Sequence, residues 1–361
     1  MNHTILNHLH IDLGARMGEF GGWNMPIQYE GIIKEHHHTR TNCSIFDICH
    51  MGEIEIVGDN AERDLNNLLT ANISSMSINQ VKYSFLLNEN GGVIDDLTIY
   101  KIDHDRFLLV VNAATTNDDY QWISKNLSST TKANNLSNEF GKIDIQGPKS
   151  RDILQNILNE PIDDIKYFNF KKINNFIVSR TGYTGELGYE LYIPTNSTEK
   201  WWNMLLNNPL CKPAGLGARD TLRLEMGYPL YGHELTLKSS PVSFSGNSFI
   251  DLNKTFIGKN HVLNELDNPS KKIIGLKFES KRAAREGDSV FVASQDKNPH
   301  KIGVVTSGSI SPSLNKAIAV ANVYYDEYKE GDILLVEIRN NIYSAEVCSF
   351  PFYKNGSVRG D

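Results

Sequence analysis

Two adjacent carboxylates, Asp95 and Asp96, interrupt an otherwise apolar, β-branched run that follows the glycine pair of residues 91–92. The glycine pair indicates a turn, and the run after it predicts a strand. Because strand side chains alternate between faces, only one aspartate can face a given pocket, and Asp96 shares its face with Thr98 and Tyr100. A carboxylate in such a pocket can stabilise positive charge that develops in a reaction. The alternative is a structural aspartate that caps the glycine turn.

Glycines, tyrosines and glutamates are interleaved in residues 181–193, which end in a strand pattern. Glycine lets a backbone approach a ligand closely, and tyrosine offers a flat face with a polar tip. The stretch is therefore either a ligand-binding surface or a hairpin with aromatic packing.

A second glycine-rich stretch, residues 215–225, opens a helix. It does not follow the dinucleotide-binding pattern G-x-G-x-x-G, because Asp220 stands where the third glycine would be. Arg219 lies near the start of this helix, where the dipole disfavours a cation. It therefore predicts a ligand or carboxylate partner, with an ordinary surface salt bridge as the alternative.

The histidines and cysteines do not predict a metal site. His36, Cys43, Cys49 and His50 could form a zinc set in principle, but their spacing fits no recognised pattern. The consecutive histidines at 36–38 would point about 100° apart on a helix and cannot converge on one metal. We therefore expect no metal in this protein.

The composition argues against several classes of protein. The chain has 361 residues, 40% of them hydrophobic, and 36 basic against 43 acidic side chains give a formal net charge of −7. This charge argues against a nucleic-acid partner. No stretch approaches the ~20 apolar residues of a membrane span, and the N-terminus lacks the features of a signal or transit peptide. Four scattered cysteines without a Cys-x-x-Cys pair favour a cytoplasmic protein without disulfides.

The elements that must position these residues form an α+β pattern over residues 50–130, where helices alternate with antiparallel strands. The patterns predict strands at 81–87 and 106–111 and helices at 61–69 and 118–127. Residues 271–361 differ, because short strands separated by turn-rich loops, without helical periodicity, predict a small all-β barrel or sandwich.

Eight motifs in register resemble the T-protein (aminomethyltransferase) family of the glycine cleavage system. The resemblance covers essentially the whole chain, and its strength lies in the order of the motifs rather than in any one of them. The motifs occupy residues 14–17, 22–26, 50–53, 91–97, 111–113, 180–186, 215–225 and 306–308.

The resemblance implies a three-domain cloverleaf with tetrahydrofolate in a central cavity. The domains would be residues 1–50 with 140–270, residues 51–139, and the barrel of residues 271–361. The implied reaction transfers the one-carbon unit from the aminomethyl-dihydrolipoyl arm of H-protein to tetrahydrofolate. Its products are 5,10-methylenetetrahydrofolate, ammonia and dihydrolipoyl H-protein. No flavin is expected, and the chain is expected to be a monomer or a weak oligomer.

The resemblance also assigns the site. Asp96 matches the family aspartate that lies near N10 of folate, and it is the implied catalytic residue. Glu190 and Arg219 match positions that hold the pterin end. A further set of matched positions would line the folate site: Met51, Tyr83, Tyr100, Asn112 and Tyr183. The C-terminal segment 351–357 offers no unambiguous match to the ligand contact that some relatives have there.

Two other functions share this resemblance. A folate-dependent demethylase on the same fold would also need Asp96. A non-catalytic folate-binding assembly factor for iron–sulfur proteins would carry a Lys-Gly-Cys-Tyr-x-Gly-Gln-Glu signature, but residues 254–259 contain no cysteine.

The densest basic cluster of the chain contains Lys281, Arg282 and Arg285. Docking between two acidic proteins needs a local basic patch. This loop is therefore a candidate docking surface for lipoylated H-protein, and an ordinary solvated loop is the alternative.

Overall fold

The computed structural model describes residues 1–292, 300–326 and 328–358. Within these ranges the chain forms strands that we number in chain order. The strands are β1 (Asn2–His3), β2 (Arg16–Phe20), β3 (Trp23–Gln28), β4 (Cys43–Asp47), β5 (Gly52–Val57), β6 (Val81–Leu87), β7 (Val93–Lys101), β8 (Arg106–Val111), β9 (Lys132–Asn135), β10 (Phe140–Gln146), β11 (Phe170–Ile173), β12 (Phe176–Ser179), β13 (Gly188–Pro194), β14 (Cys211–Pro213), β15 (Lys271–Phe278), β16 (Ser289–Val292), β17 (His300–Ser311), β18 (Lys316–Tyr324), β19 (Ile333–Ile338) and β20 (Asn341–Cys348).

The helices lie between these strands and precede the last six of them. They are α1 (Asn7–Asp12), α2 (Ile32–Thr41), α3 (Ala61–Leu68), α4 (Thr116–Asn126), α5 (Ser150–Leu158), α6 (Thr198–Leu206), α7 (Leu216–Met226), α8 (Pro241–Ser245) and α9 (Lys259–Asp267), with a short 3-10 helix at Thr195–Ser197. Among the described residues, no helix combines the length and the apolar character that a membrane crossing requires.

Three larger sheets organise the chain. A six-stranded sheet has the order β11-β12-β13-β10-β4-β14, and a five-stranded sheet has the order β6-β7-β8-β5-β9. The last six strands close a barrel in the order β15-β18-β17-β16-β19-β20. The predicted α+β class with a C-terminal β-barrel is therefore confirmed, whereas the division into three domains stays a prediction.

The five- and six-stranded sheets meet over a shared apolar layer. From the five-stranded sheet, Val81, Tyr100 and Val110 enter this layer, and they pack against Phe170 and Tyr192 of the six-stranded sheet. Each sheet also buries its own core on the other side, over helices α3 and α4 or α5 and α6. The layer between the sheets is the place where residues from distant parts of the chain come together.

The strand predicted around Asp95 and Asp96 is β7, and it contains one β-bulge. Leu86 of β6 pairs with Asp95, but Leu87 pairs with Val93, so Ile94 forms a bulge just before the carboxylates. Bulges redirect side chains and are frequent near functional sites. Gly92 must be glycine, because a Cβ there would collide with the carbonyl oxygen of Leu237 in the loop that crosses this strand end.

Most predicted elements are found within a residue or two of their expected ends. Strands at 81–87 and 106–111 coincide with β6 and β8, and the helix predicted at 118–127 is α4. Short helices such as α1 and α8 were not predicted, because six or five residues show too little periodicity to be recognised.

Candidate active site

The carboxylate of Asp96 is held by residues from both neighbouring strands. Its Oδ2 accepts a hydrogen bond from the Tyr83 hydroxyl at 2.9 Å, and its Oδ1 accepts one from Asn112 Nδ2 at 3.1 Å. Asp96 is partly exposed, whereas Asp95 is fully buried on the opposite face, in agreement with the predicted alternation. Burial and the neighbouring Asp95 raise the pKa of Asp96 to about 7, although Tyr83 and Asn112 oppose this shift. Asp96 therefore exchanges its proton near neutral pH.

Asn112, at the end of β8, connects the two aspartates. Its backbone N–H donates to Asp95 Oδ2 at 2.9 Å, and its Nδ2 donates to Asp95 Oδ1 at 2.8 Å. The same Nδ2 also lies 3.1 Å from the Asp96 carbonyl oxygen and from Asp96 Oδ1. The side-chain amide hydrogens of Asn112 are thus directed at the carboxylates, and the residue orients Asp96.

Two tyrosines border the Asp96 cluster. The ring of Tyr83 packs edge-on against Phe249, with ring centroids 4.9 Å apart. Tyr183 stacks on Tyr228 at 5.7 Å, and its hydroxyl donates to the carbonyl of Pro229. Asp96 acts electrostatically on both Tyr83 and Tyr183, and burial raises the pKa of each phenol. Both phenols therefore stay protonated, and they present flat, partly exposed faces.

Glu190 is the centre of a second cluster. Its Oε2 accepts hydrogen bonds from the hydroxyls of Thr181 at 2.6 Å, Tyr192 at 3.1 Å and Tyr100 at 3.3 Å. Tyr100 is completely buried and also contacts the Tyr192 hydroxyl at 2.9 Å. Four residues of strand span about 13 Å. Tyr100 therefore shares a face with Asp96 but lies behind Glu190 rather than beside Asp96.

Arg219 joins the two clusters from helix α7. Its guanidinium pairs with Asp144 of β10, and it lies 5.0 Å from the centre of the Tyr183 ring. Asp144 is fully buried and is the register partner of Glu190 across the β10–β13 pair. The carboxylate partner predicted for Arg219 is thus a buried one, not a surface salt bridge.

Met51, the remaining predicted residue, is partly exposed and packs against the apolar layer between the sheets. The structure therefore brings Asp96, Tyr83, Asn112 and Tyr183 together and places Glu190 and Arg219 in an adjoining group. Of the predicted residues, Tyr100 alone has no exposed surface.

The residues that support this site were not predicted from the sequence. Asp144, Thr181 and Tyr192 hold Arg219 and Glu190, and none of them was predicted. One signal was present for Asp144, because it and Gln146 alternate with two isoleucines on a strand, which places polar groups on an inner face.

The zinc set considered from the sequence has other contacts. His36 contacts Thr221 and Glu225, Cys43 faces Cys211, and Cys49 lies against the Lys142 carbonyl. Within the described part of the chain, no group of three or more His, Cys, Asp or Glu side chains is placed to hold a metal ion.

Comparison with known proteins covers nearly the whole chain. Residues 6–254 match the GCVT N-terminal domain, and residues 271–354 match the glycine cleavage T-protein C-terminal barrel domain. Aminomethyltransferases of Halothermothrix orenii and Natranaerobius thermophilus are each 38% identical to this chain, covering 98% of it and 100% and 98% of their own length. The crystal structure of the glycine cleavage system aminomethyltransferase T from Bartonella henselae superposes with a TM-score of 0.93 at 31% identity and covers 99% of both chains. The chain belongs to the glycine cleavage T-protein (aminomethyltransferase) family.

Proposed function

We propose that this protein is the aminomethyltransferase of a glycine cleavage system and that tetrahydrofolate is its acceptor. The donor would be the aminomethyl group on the dihydrolipoyl arm of H-protein. The products would be 5,10-methylenetetrahydrofolate, ammonia and dihydrolipoyl H-protein. One observation carries this proposal. In a chain that matches the family over nearly its whole length, Asp96 is a half-buried carboxylate held by Tyr83 and Asn112.

The position of Asp96 suits a role in electrostatic catalysis. Positive charge develops on the one-carbon unit as ammonia leaves, and a fixed carboxylate stabilises that charge without having to reorganise. Tyr83 and Asn112 hold Asp96 from two sides, so its orientation does not depend on the substrate. Because the pKa of Asp96 is near 7, the ionised form is available at neutral pH.

The surrounding residues fit a flat heterocycle with N–H groups on its edge. Tyr83 and Tyr183 offer aromatic faces, and Glu190 offers a carboxylate that can accept from adjacent N–H groups. Arg219 adds a cation next to Tyr183. We assign the pterin end to Glu190 and Arg219 and the remaining contacts to Met51, Tyr83, Asn112 and Tyr183. Tyr100 would not contact the folate directly but would orient Glu190 through its hydrogen bond to that carboxylate. When bound, tetrahydrofolate supplies the nitrogen nucleophiles that accept the one-carbon unit.

The experiment supplies purified protein with aminomethylated, lipoylated H-protein and measures ammonia and 5,10-methylenetetrahydrofolate. We expect both products in equal amounts, formed only when tetrahydrofolate is present. Ammonia release at the same rate without tetrahydrofolate would contradict the proposal.

A parallel assay with a different donor distinguishes the aminomethyltransferase from the demethylase alternative. A folate-dependent demethylase would ignore the H-protein donor and would act on a methylated amine or a sulfonium compound. Turnover of such a compound, with no turnover of aminomethylated H-protein, would replace the proposed function.

A further inference from the structure

Asp119, in the first turns of α4, is a buried carboxyl group whose oxygens lack a well-placed hydrogen-bond donor. The residue has no exposed surface, and among the described residues no donor reaches either of its carboxyl oxygens in good geometry. The neighbouring Thr115 hydroxyl lowers the pKa of Asp119 but is better aligned with the carbonyl of Asn112, to which it donates at 3.2 Å. An ionised carboxylate in such a place costs several kcal/mol. The group must therefore hold or share a proton.

The partner for that proton is Asp95. A side-chain hydrogen bond joins the two carboxyl groups, and burial raises the pKa of both. Asp95 receives two hydrogen bonds of good geometry from Asn112, whereas among the described residues none of good geometry reaches Asp119. Two carboxylates in contact cannot both be ionised at neutral pH without a large penalty. One proton shared by the pair satisfies Asp119 and leaves a single negative charge.

This pair is connected to Asp96 in two ways. Asn112 Nδ2 donates to Asp95 at 2.8 Å and to Asp96 at 3.1 Å, so the orientation of Asn112 depends on Asp95 being an acceptor. The negative charge of Asp95 also acts directly on Asp96, where it opposes ionisation. The protonation of Asp119 thus affects the orientation and the pKa of Asp96, although Asp119 need not contact a substrate.

We propose that Asp119 is a positioning residue that shares one proton with Asp95, and that this pair sets the charge and the orientation of Asp96 through Asn112. The inference rests on the proposed function in so far as Asp96 is the catalytic carboxylate.

The phenols around the pair do not titrate in the same range as the carboxyls. Burial raises the pKa of the three surrounding phenols, and that of Tyr231 is about 12. Asp118, next to Asp119, is exposed. The groups that face the pair or Asp96 are Asp95, Asp96, Asp118, Asp119, Tyr83, Tyr183 and Tyr231. Among these groups, burial raises the pKa of Asp96 and of Asp119 to about 7 and also raises the pKa of Asp95.

The first test needs no substrate. Infrared spectroscopy of the ligand-free protein near neutral pH detects the C=O stretch of a buried protonated carboxylic acid. Asp119→Asn should remove one such band, because its amide donates permanently to ionised Asp95. Asp118→Asn, a matched change on the exposed neighbour, should leave the band in place. An unchanged band in Asp119→Asn would overturn the shared proton, whether or not the enzyme is active.

The second test is the pH profile of kcat/KM with aminomethylated H-protein. Asp119→Asn keeps a donor to Asp95 and should keep the acidic limb of the wild-type profile. Asp119→Leu removes the other member of the pair, so Asp95, whose pKa burial raises, keeps the proton to itself and no longer opposes ionisation of Asp96. Its acidic limb should move to lower pH by at least about half a unit.

The pH profiles of the two Asp119 variants together test whether the Asp95–Asp119 pair controls Asp96. Coincident profiles for Asp119→Leu and wild type would overturn the coupling to Asp96. Loss of the wild-type acidic limb from the kcat/KM profile of Asp119→Asn would also overturn the coupling to Asp96. A wild-type protein that is inactive with H-protein would instead reject the proposed function and leave the infrared result standing.

Discussion

Asp96 is held in a balance of opposing effects at the scale of a single residue. Burial and the charge of Asp95 favour its neutral form, while the hydrogen bonds from Tyr83 and Asn112 favour its ionised form. The result is a pKa of about 7, some three units above that of an ordinary aspartate. A carboxylate of this kind is reactive at neutral pH yet remains fixed in place.

Replacing Asp96 by asparagine tests its role directly. The amide is isosteric but neutral, so it cannot stabilise developing positive charge. We expect kcat to fall by about 100-fold or more, with tetrahydrofolate affinity and thermal stability close to wild type. Steady-state kinetics and direct titration with tetrahydrofolate measure the two effects separately.

Asp95→Asn is the informative comparison for that variant. Asp95 is fully buried and faces away from Asp96, so its replacement should lower the free energy of unfolding and, through Asn112, shift the pH profile of kcat/KM without abolishing turnover. An inactive Asp95→Asn together with a nearly normal Asp96→Asn would reverse the assignment of the two carboxylates.

At the scale of elements, helix α7 is fixed to strand β10 by one ion pair. Arg219 reaches from the first turn of α7 to Asp144, which is completely buried in the six-stranded sheet. Burial raises the pKa of Asp144, and Arg219 opposes this. The ionised form of Asp144 is therefore the costly one in the fold. Its cost grows as the pH rises above the unfolded pKa and is complete above the folded pKa.

Arg219→Met should therefore destabilise the protein in a pH-dependent way. At about pH 8 Asp144 lacks the partner that compensates its charge in the wild type, and we expect a loss of about 2–4 kcal/mol in the free energy of unfolding. At about pH 5.5 the folded protein can keep Asp144 protonated, so the loss should be clearly smaller. Denaturant unfolding at the two pH values measures the difference.

The double variant Arg219→Met/Asp144→Asn provides the control. Without the buried carboxylate, most of the loss at high pH should be recovered, and the pH dependence of the Arg219→Met effect should disappear. An equal loss at both pH values in the single variant would show that Arg219 stabilises the fold by packing alone.

At the scale of the whole molecule, Arg40 of α2 ties the N-terminal region to the barrel and to the C-terminal segment. Its guanidinium donates to Glu186 and Glu225 at 2.8 Å each and lies 4.3 Å from the centre of the Tyr353 ring. Glu225 in turn accepts a hydrogen bond from Ser311 of β17 at 2.5 Å. These buried contacts join α2, α7, the barrel and the chain end in one network.

The basic loop with Lys281, Arg282 and Arg285 lies on the outside of the barrel, and all three side chains are exposed. The same loop contains Glu286, whose carboxylate lies 3.3 Å from His233 in the segment that follows α7. That segment continues to Thr236, whose carbonyl accepts from the N–H of Val93 at the start of β7. The loop thus neighbours the segment that covers the Asp96 end of the site, and its role in docking stays a prediction.

Changing Lys281, Arg282 and Arg285 together to alanine should weaken the use of H-protein. Attraction of an acidic partner would be lost, so we expect the KM for H-protein to rise about 3- to 10-fold at low salt and less at high salt. The affinity for tetrahydrofolate should not change.

A matched triple variant controls for the change in net charge. Lys125, Lys329 and Arg339 are also exposed, and their replacement by alanine removes the same three charges elsewhere. This control should retain the wild-type KM for H-protein. Equal KM values for all three proteins would remove the loop from the docking surface and would leave the enzyme assignment intact.

Features that depend on neighbours along the chain could be predicted from the amino-acid sequence. The apolar period of two around the aspartates predicted β7 and the opposite faces of Asp95 and Asp96, because strand geometry is local. Short apolar strands without helical periodicity predicted the C-terminal barrel for the same reason. The order of the motifs was sufficient for the family.

How these elements pack against each other could be read only from the folded chain. Arg219 and Asp144 are 75 positions apart, and Tyr100 and Tyr192 are 92 apart, so no local pattern could pair them. Their contact depends on the strand order β13-β10 and on the packing of the two sheets over a common layer. The pairing of Asp119 with Asp95 likewise arises where α4 packs on the face of β7 opposite to Asp96. Burial then sets the charge of each carboxyl, and burial is a property of the folded molecule rather than of a residue type.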